Sequence, residues 1–107
     1  MNDGYTTDEL FFTAALCYIF GTDALTKIEL IESRDARSRH QVRQFTLDVP
    51  SLDAAEYYKE FKAGMLAIAD LFSFGIVYTG VTKTLRDMTR RGDTEWVSPS
   101  WIAGRRG

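Results

Sequence analysis

Arg34, Arg37, Arg39, His40 and Arg43 fall within ten consecutive residues. A guanidinium's paired donors match the oxygens of a phosphate or a carboxylate. Residues 1–33 carry six acids (Asp3, Asp8, Glu9, Asp23, Glu29, Glu32) against one base, Lys27, so the segment reverses the local charge. Three readings fit it: a grip on nucleic-acid phosphate, a basic edge for an acidic protein surface, or the solvated tip of a hairpin.

Other reactive side chains are sparse. His40 is the only histidine and Cys17 the only cysteine, so neither a multi-histidine metal site nor a thiolate cage can be built. The acid nearest His40 is Asp35, and no serine or cysteine is marked as a nucleophile beside them. Gly75 and Gly80 lack the Lys-Ser/Thr that completes a phosphate loop. Glu29 and Asp48 could face each other across a hairpin, where solvated neighbours are the expected reading. The expectation is a chain with no catalytic residue, metal ligand, cofactor or small-molecule substrate, and hence no enzyme. Cys17 lies in an apolar run, so it is expected to pack as a small hydrophobe, and an unpaired cysteine suits reducing, intracellular conditions.

The composition is that of one folded domain: 107 residues, 45% hydrophobic, 26% charged, net charge −2. A negative total argues against general polyanion binding while leaving a local basic patch open. The first residues include Asp3, Asp8 and Glu9 where an export signal would be basic. Leu10 to Phe20 is about half the ~20 residues a membrane helix needs. Met65 to Val81 is interrupted by Asp70, Ser73 and Thr79. No membrane partner is expected, and the cytoplasm is the expected compartment.

Behind these residues stand the elements that must position them. Thr6 and Glu9 have capping-box spacing, predicting a first helix over Thr7–Phe20 stopped by Gly21. Its apolar residues cover nearly the whole circumference, so it must be covered on most sides, with another subunit one source of cover. From Ala24 to Glu32 and from Gln41 to Val49 the period changes to two. Ile28 and Leu30 oppose Lys27 and Glu29; Phe45, Leu47 and Val49 oppose Gln44, Thr46 and Asp48. This predicts a two-stranded antiparallel hairpin whose connection, about Ser33–His40, carries the arginines. Pro50 ends the second strand, and Ser51 is placed to cap a helix over Leu52–Ala63 stopped by Gly64. Asp70 caps a third helix running to about Arg90 and closed by Gly92, with Val77, Val81, Leu85 and Met88 as its buried stripe. Gly75, Thr79 and Gly80 would let another backbone approach closely.

The fold expected is therefore α+β in the order α-β-β-α-α with an extended tail: a single domain over residues 1–92, and a tail over 93–107. Trp96, Val97, Trp101 and Ile102 surround Ser98-Pro99-Ser100, a break no helix can cross. A short tail with two tryptophans either folds back over its own domain or anchors in a neighbour or partner, since tryptophan is a favoured interface anchor; on the second reading these four residues are the candidate partner-binding group.

The opening Thr6-Thr7-Asp8-Glu9-Leu10, the alanine-rich apolar helix closed by Gly21, the two short strands, the aromatic run Tyr57-Tyr58…Phe61…Gly64 and the closing Lys83-Thr84-Leu85-Arg86 together resemble a small family of uncharacterised proteins carried by bacteria and their phages. The resemblance covers about residues 6–90. It implies a compact α+β domain of phage or mobile-element origin, working in the host cytoplasm or in a virion, and it brings no activity with it.

Two functions of different kinds follow as expectations. One is an interaction or assembly protein that self-associates or binds a protein partner, as a phage accessory or structural component. The alternative is a nucleic-acid-binding protein using the arginine hairpin 34–43. Phosphate contact is strongest at low salt, so a salt titration with duplex and single-stranded nucleic acid separates the two.

Overall fold

Tyr5, Thr6 and Thr7 are good strand formers, and in the computed structural model they form β1 (Tyr5–Thr7). The structure describes residues 4–32 and 41–98. Next come α1 (Leu10–Phe20), a 3-10 turn (Thr22–Ala24), β2 (Leu25–Glu32), β3 (Gln41–Leu47), α2 (Ser51–Lys62), α3 (Leu71–Arg91) and β4 (Glu95–Val97). The α+β class holds. The expected order and the two-stranded hairpin need correction, because the hairpin is the centre of a four-stranded antiparallel sheet ordered β1-β3-β2-β4.

The physical reason is that a lone hairpin leaves two open edges and a thin apolar face. β1 covers the β3 edge with the register Tyr5↔Leu47, Thr6↔Thr46, Thr7↔Phe45. β4 covers the β2 edge with Lys27↔Val97, Ile28↔Trp96, Glu29↔Glu95. Cross-strand partners share a face, so Thr7, Phe45, Ile28 and Trp96 form one row across all four strands. Residues 93–98 are thus not an extended tail: Asp93 and Thr94 lead into a strand whose tryptophan packs against the core.

Thr6 pairs in a strand and does not cap α1. The helix begins one turn later than expected, with Glu9 at the N-cap in extended backbone and no side-chain cap. The Thr7 hydroxyl instead accepts from the Glu9 N–H at 3.2 Å, and the Glu9 carboxylate lies 3.4 Å from Lys62 Nζ at the end of α2. α2 likewise takes Pro50 as N-cap, with Ser51 its first helical residue. Asp70 and Gly92 do bound α3. Asp70 Oδ1 accepts from the Ser73 N–H at 3.1 Å, and Gly92 turns left-handed at φ 75°.

The register of β2 slips between Leu25 and Lys27. Two residues there span one on β3, a bulge that switches which side chains face the core. Leu25 and Ile28 are consequently both buried although three apart. Thr26, at the slip, donates from its hydroxyl to the Thr46 carbonyl at 3.1 Å.

All three helices lie against the same sheet face. Phe12, Leu16 and Cys17 of α1, Ala54 of α2, and Val81, Leu85 and Met88 of α3 share one core with Ile28, Phe45 and Leu47. The opposite side of α1 is covered as well. Ala14 and Ala15 pack on Phe74, with Tyr18, Leu66, Ile68 and Tyr78 around them. Six consecutive residues, Phe12 to Cys17, are therefore buried. Much of the cover for the all-round apolar helix thus comes from this chain's own sheet, α3 and the segment before it, while Phe11 and Phe20 stay exposed.

Candidate interaction surface

α3 is 21 residues long, or about 32 Å at 1.5 Å per residue. Along its whole length one stripe faces inward: Phe74, Val81, Leu85 and Met88 are buried. At 100° per residue, Phe72 and Ile76 project about 160° from Phe74, one to either side. The first half of the helix thus has a second apolar face, directed away from the core. Leu71 is 74% exposed, Phe72 79% and Ile76 61%.

Between them the surface is small and open. Gly75 and Gly80 are helical, and a Cβ built on either meets nothing within 4 Å. The sequence expectation that these glycines admit a close backbone therefore finds no such neighbour among the described residues. What they leave is a hollow of about 480 Å³ lined by Leu71, Phe72, Gly75, Ile76 and Thr79. Leu71 also borders a depression of about 280 Å³ floored by Phe11, Ala15 and Phe74. Ile76 also borders a groove of about 320 Å³ that reaches Cys17, Leu25 and Trp96. Shared residues join the three, so one apolar tract wraps the first half of α3 from the end of α2 to the β4 edge.

Of the residues expected to bind a partner, Trp96 borders this tract and Val97 does not. Trp96 is half-buried in the core row, while Val97 belongs to the opposite sheet face beside Lys27 and Thr46. Successive strand residues alternate, so the two face opposite sides of the sheet. Trp101 and Ile102 lie outside the described residues. So do Arg34, Arg37, Arg39 and His40; of the basic group only Arg43 is described, exposed on β3 opposite Leu30. Glu29 and Asp48 do not oppose each other. Glu29 sits between Gln44 and Glu95, with its carboxylate 3.5 Å from Lys27 Nζ.

Leu71, Phe72 and Ile76 were legible in part. The run Met65–Val81 is apolar, and removing the buried stripe from it leaves these residues without a core role. Reading α3 by a single stripe hides that remainder.

The chemistry of the described residues is sparse. Cys17 is free and 2% exposed. Burial pushes its thiol up to about 11, against a smaller lowering by a backbone hydrogen bond with Leu25. A protonated, enclosed thiol is a poor nucleophile. No group of three or more His, Cys, Asp or Glu that could hold a metal occurs among the described residues. None of the described helices is long and apolar enough to cross a membrane. Asp70 is the one carboxylate among the described residues with a resolved shift: its hydrogen bonds from the Ser73 side chain and backbone hold it below the usual carboxylate range. That is a helix cap at the rim of the apolar tract. No family model, curated protein or solved structure matches the chain, so its function is argued from its own residues.

Proposed function

We propose that this chain is a non-enzymatic assembly domain that self-associates through the outward face of α3, as an accessory or structural component of the phage or mobile-element kind its sequence resembles. The observation that carries the reading is the exposure of Leu71, Phe72 and Ile76 on one continuous apolar tract. Large hydrophobes clustered on a surface favour association, and the open glycines between them let a facing helix approach closely. A symmetric dimer requires a self-complementary patch. A helix face alternating Phe72 and Ile76 with Gly75 and Thr79 offers both ridges and hollows of that kind.

A dilution series followed by backbone amide NMR tests the location. The reading expects shifts on dilution to concentrate in residues 71–80, with Ile31 and Val42 on the outer sheet face unmoved. Shifts centred on the β2–β3 ribbon would contradict it.

A further inference from the structure

Exposed residues recur along α3 at Phe72, Ile76, Thr79, Lys83, Arg86 and Arg90. The steps between them alternate between four and three residues, so all six fall on one side of the helix, over about 27 Å. That side is opposite the buried Phe74, Val81, Leu85 and Met88. Its first half is apolar and its second half is cationic. Lys83 and Arg86 make no ion pair among the described residues, while Arg90 meets Asp87 at 2.6 Å.

α3 holds four bases and one acid, which gives it a charge of +3 in a chain whose total is −2. An anionic surface therefore attracts this helix, repels the net-negative remainder, and turns the molecule so that α3 faces it. Contact with phosphate alone would leave Phe72 and Ile76 without a use, although they continue the same line as the cations. A surface both anionic and apolar suits the two halves together. The interface of an anionic bilayer is one, because its acyl chains take large hydrophobes and its headgroups take Lys and Arg. The expectation of no membrane partner rested on the lack of a spanning segment, and a helix lying in the headgroup plane needs none.

We propose that the outward side of α3 is a peripheral docking surface for anionic lipid bilayers. Phe72 and Ile76 enter the acyl boundary, and Lys83, Arg86 and Arg90 lie at the headgroups. The inference shares a face with the self-association reading and does not rest on it. A second copy and a bilayer would compete for Phe72 and Ile76, while the cations serve the bilayer.

Co-sedimentation with lipid vesicles tests this. The chain should pellet with vesicles of equal parts phosphatidylcholine and phosphatidylglycerol and stay in solution with phosphatidylcholine alone. Added salt should release it, since exposed charges are screened. Lys83→Gln/Arg86→Gln keeps good helix formers at two exposed positions. It should bind the mixed vesicles about 30-fold more weakly, at roughly fivefold per cation, with its self-association unchanged. Phe72→Asp/Ile76→Asp should lose both. Wild-type protein that ignores the mixed vesicles at low salt would overturn the proposal, whatever its oligomeric state. So would binding that is undiminished in Lys83→Gln/Arg86→Gln, or a preference for duplex DNA over the mixed vesicles, which would name nucleic acid as the partner. A monomer that binds the vesicles as described would uphold the proposal and sink the self-association reading alone.

Discussion

Phe12 shows what a single side chain does in this core. It is fully buried, and its ring meets Tyr58 at 5.1 Å, Phe61 at 5.3 Å and Tyr5 at 6.0 Å between centroids. It therefore ties α1 to both α2 and β1. Phe12→Ala should cost about 3–5 kcal/mol, measured by urea unfolding. Cys17, five residues further along α1, gives a pH signature. Its folded pKa of about 11 lies above the ordinary value of 9.0. The unfolded chain thus loses the proton first, so this contribution is complete below pH 9 and is lost as pH rises to about 11. Cys17→Ala should be flatter over that window than the wild type. Asp70 has the opposite sign, since its folded pKa is depressed. Its contribution is present above the usual carboxylate range and lost as pH falls through the lower folded value. Asp70→Ala should therefore lie closer to the wild type in acid than at neutral pH. Asp70 was legible in the sequence because a helix cap is a local signal. Phe12's neighbours on α2 and β1 are remote in sequence and were not.

At the scale of elements, the hairpin and α3 follow from period and caps, whereas β1 and β4 do not. Each outer strand has three residues, too few for alternation to register, and exists because the hairpin offers an edge to pair. Thr6 illustrates the competition: its spacing from Glu9 is a helix-capping signal, yet pairing with Thr46 on the sheet edge wins. Trp96 illustrates the other edge, where a residue expected in an extended C-terminal tail completes a core row. Trp96→Ala should accordingly destabilise the fold by about 2 kcal/mol, less than for a fully buried tryptophan, and chemical denaturation would show it. The closing turn of α3 depends on Gly92 at φ 75°. An L side chain in that conformation costs roughly 1–2 kcal/mol, so Gly92→Ala should lower the unfolding midpoint without changing its slope. The bulge at Leu25–Lys27 was invisible to a strict period of two, because it is the slip itself that buries both Leu25 and Ile28.

For the whole molecule, the arrangement is one sheet with helices on a single side, and α1 enclosed between the sheet and α3. That enclosure covers Phe12 to Cys17 of α1 and moves the question of association toward the outer face of α3. The outer face of the sheet is mostly polar, with Thr46, Gln44, Lys27, Glu29 and Glu95 on it. The α3 face instead concentrates exposed hydrophobes that the fold does not use. The central claim is tested most directly by sedimentation equilibrium over a range of concentrations, comparing the wild type with Phe72→Asp/Ile76→Asp. Both positions are exposed, so each substitution should change stability by no more than about 0.5 kcal/mol. The account predicts a wild-type mass that rises with concentration to a multiple of the single chain, and a doubly substituted chain that stays monomeric. A wild type that remains monomeric throughout, or a variant that associates equally well, would contradict it.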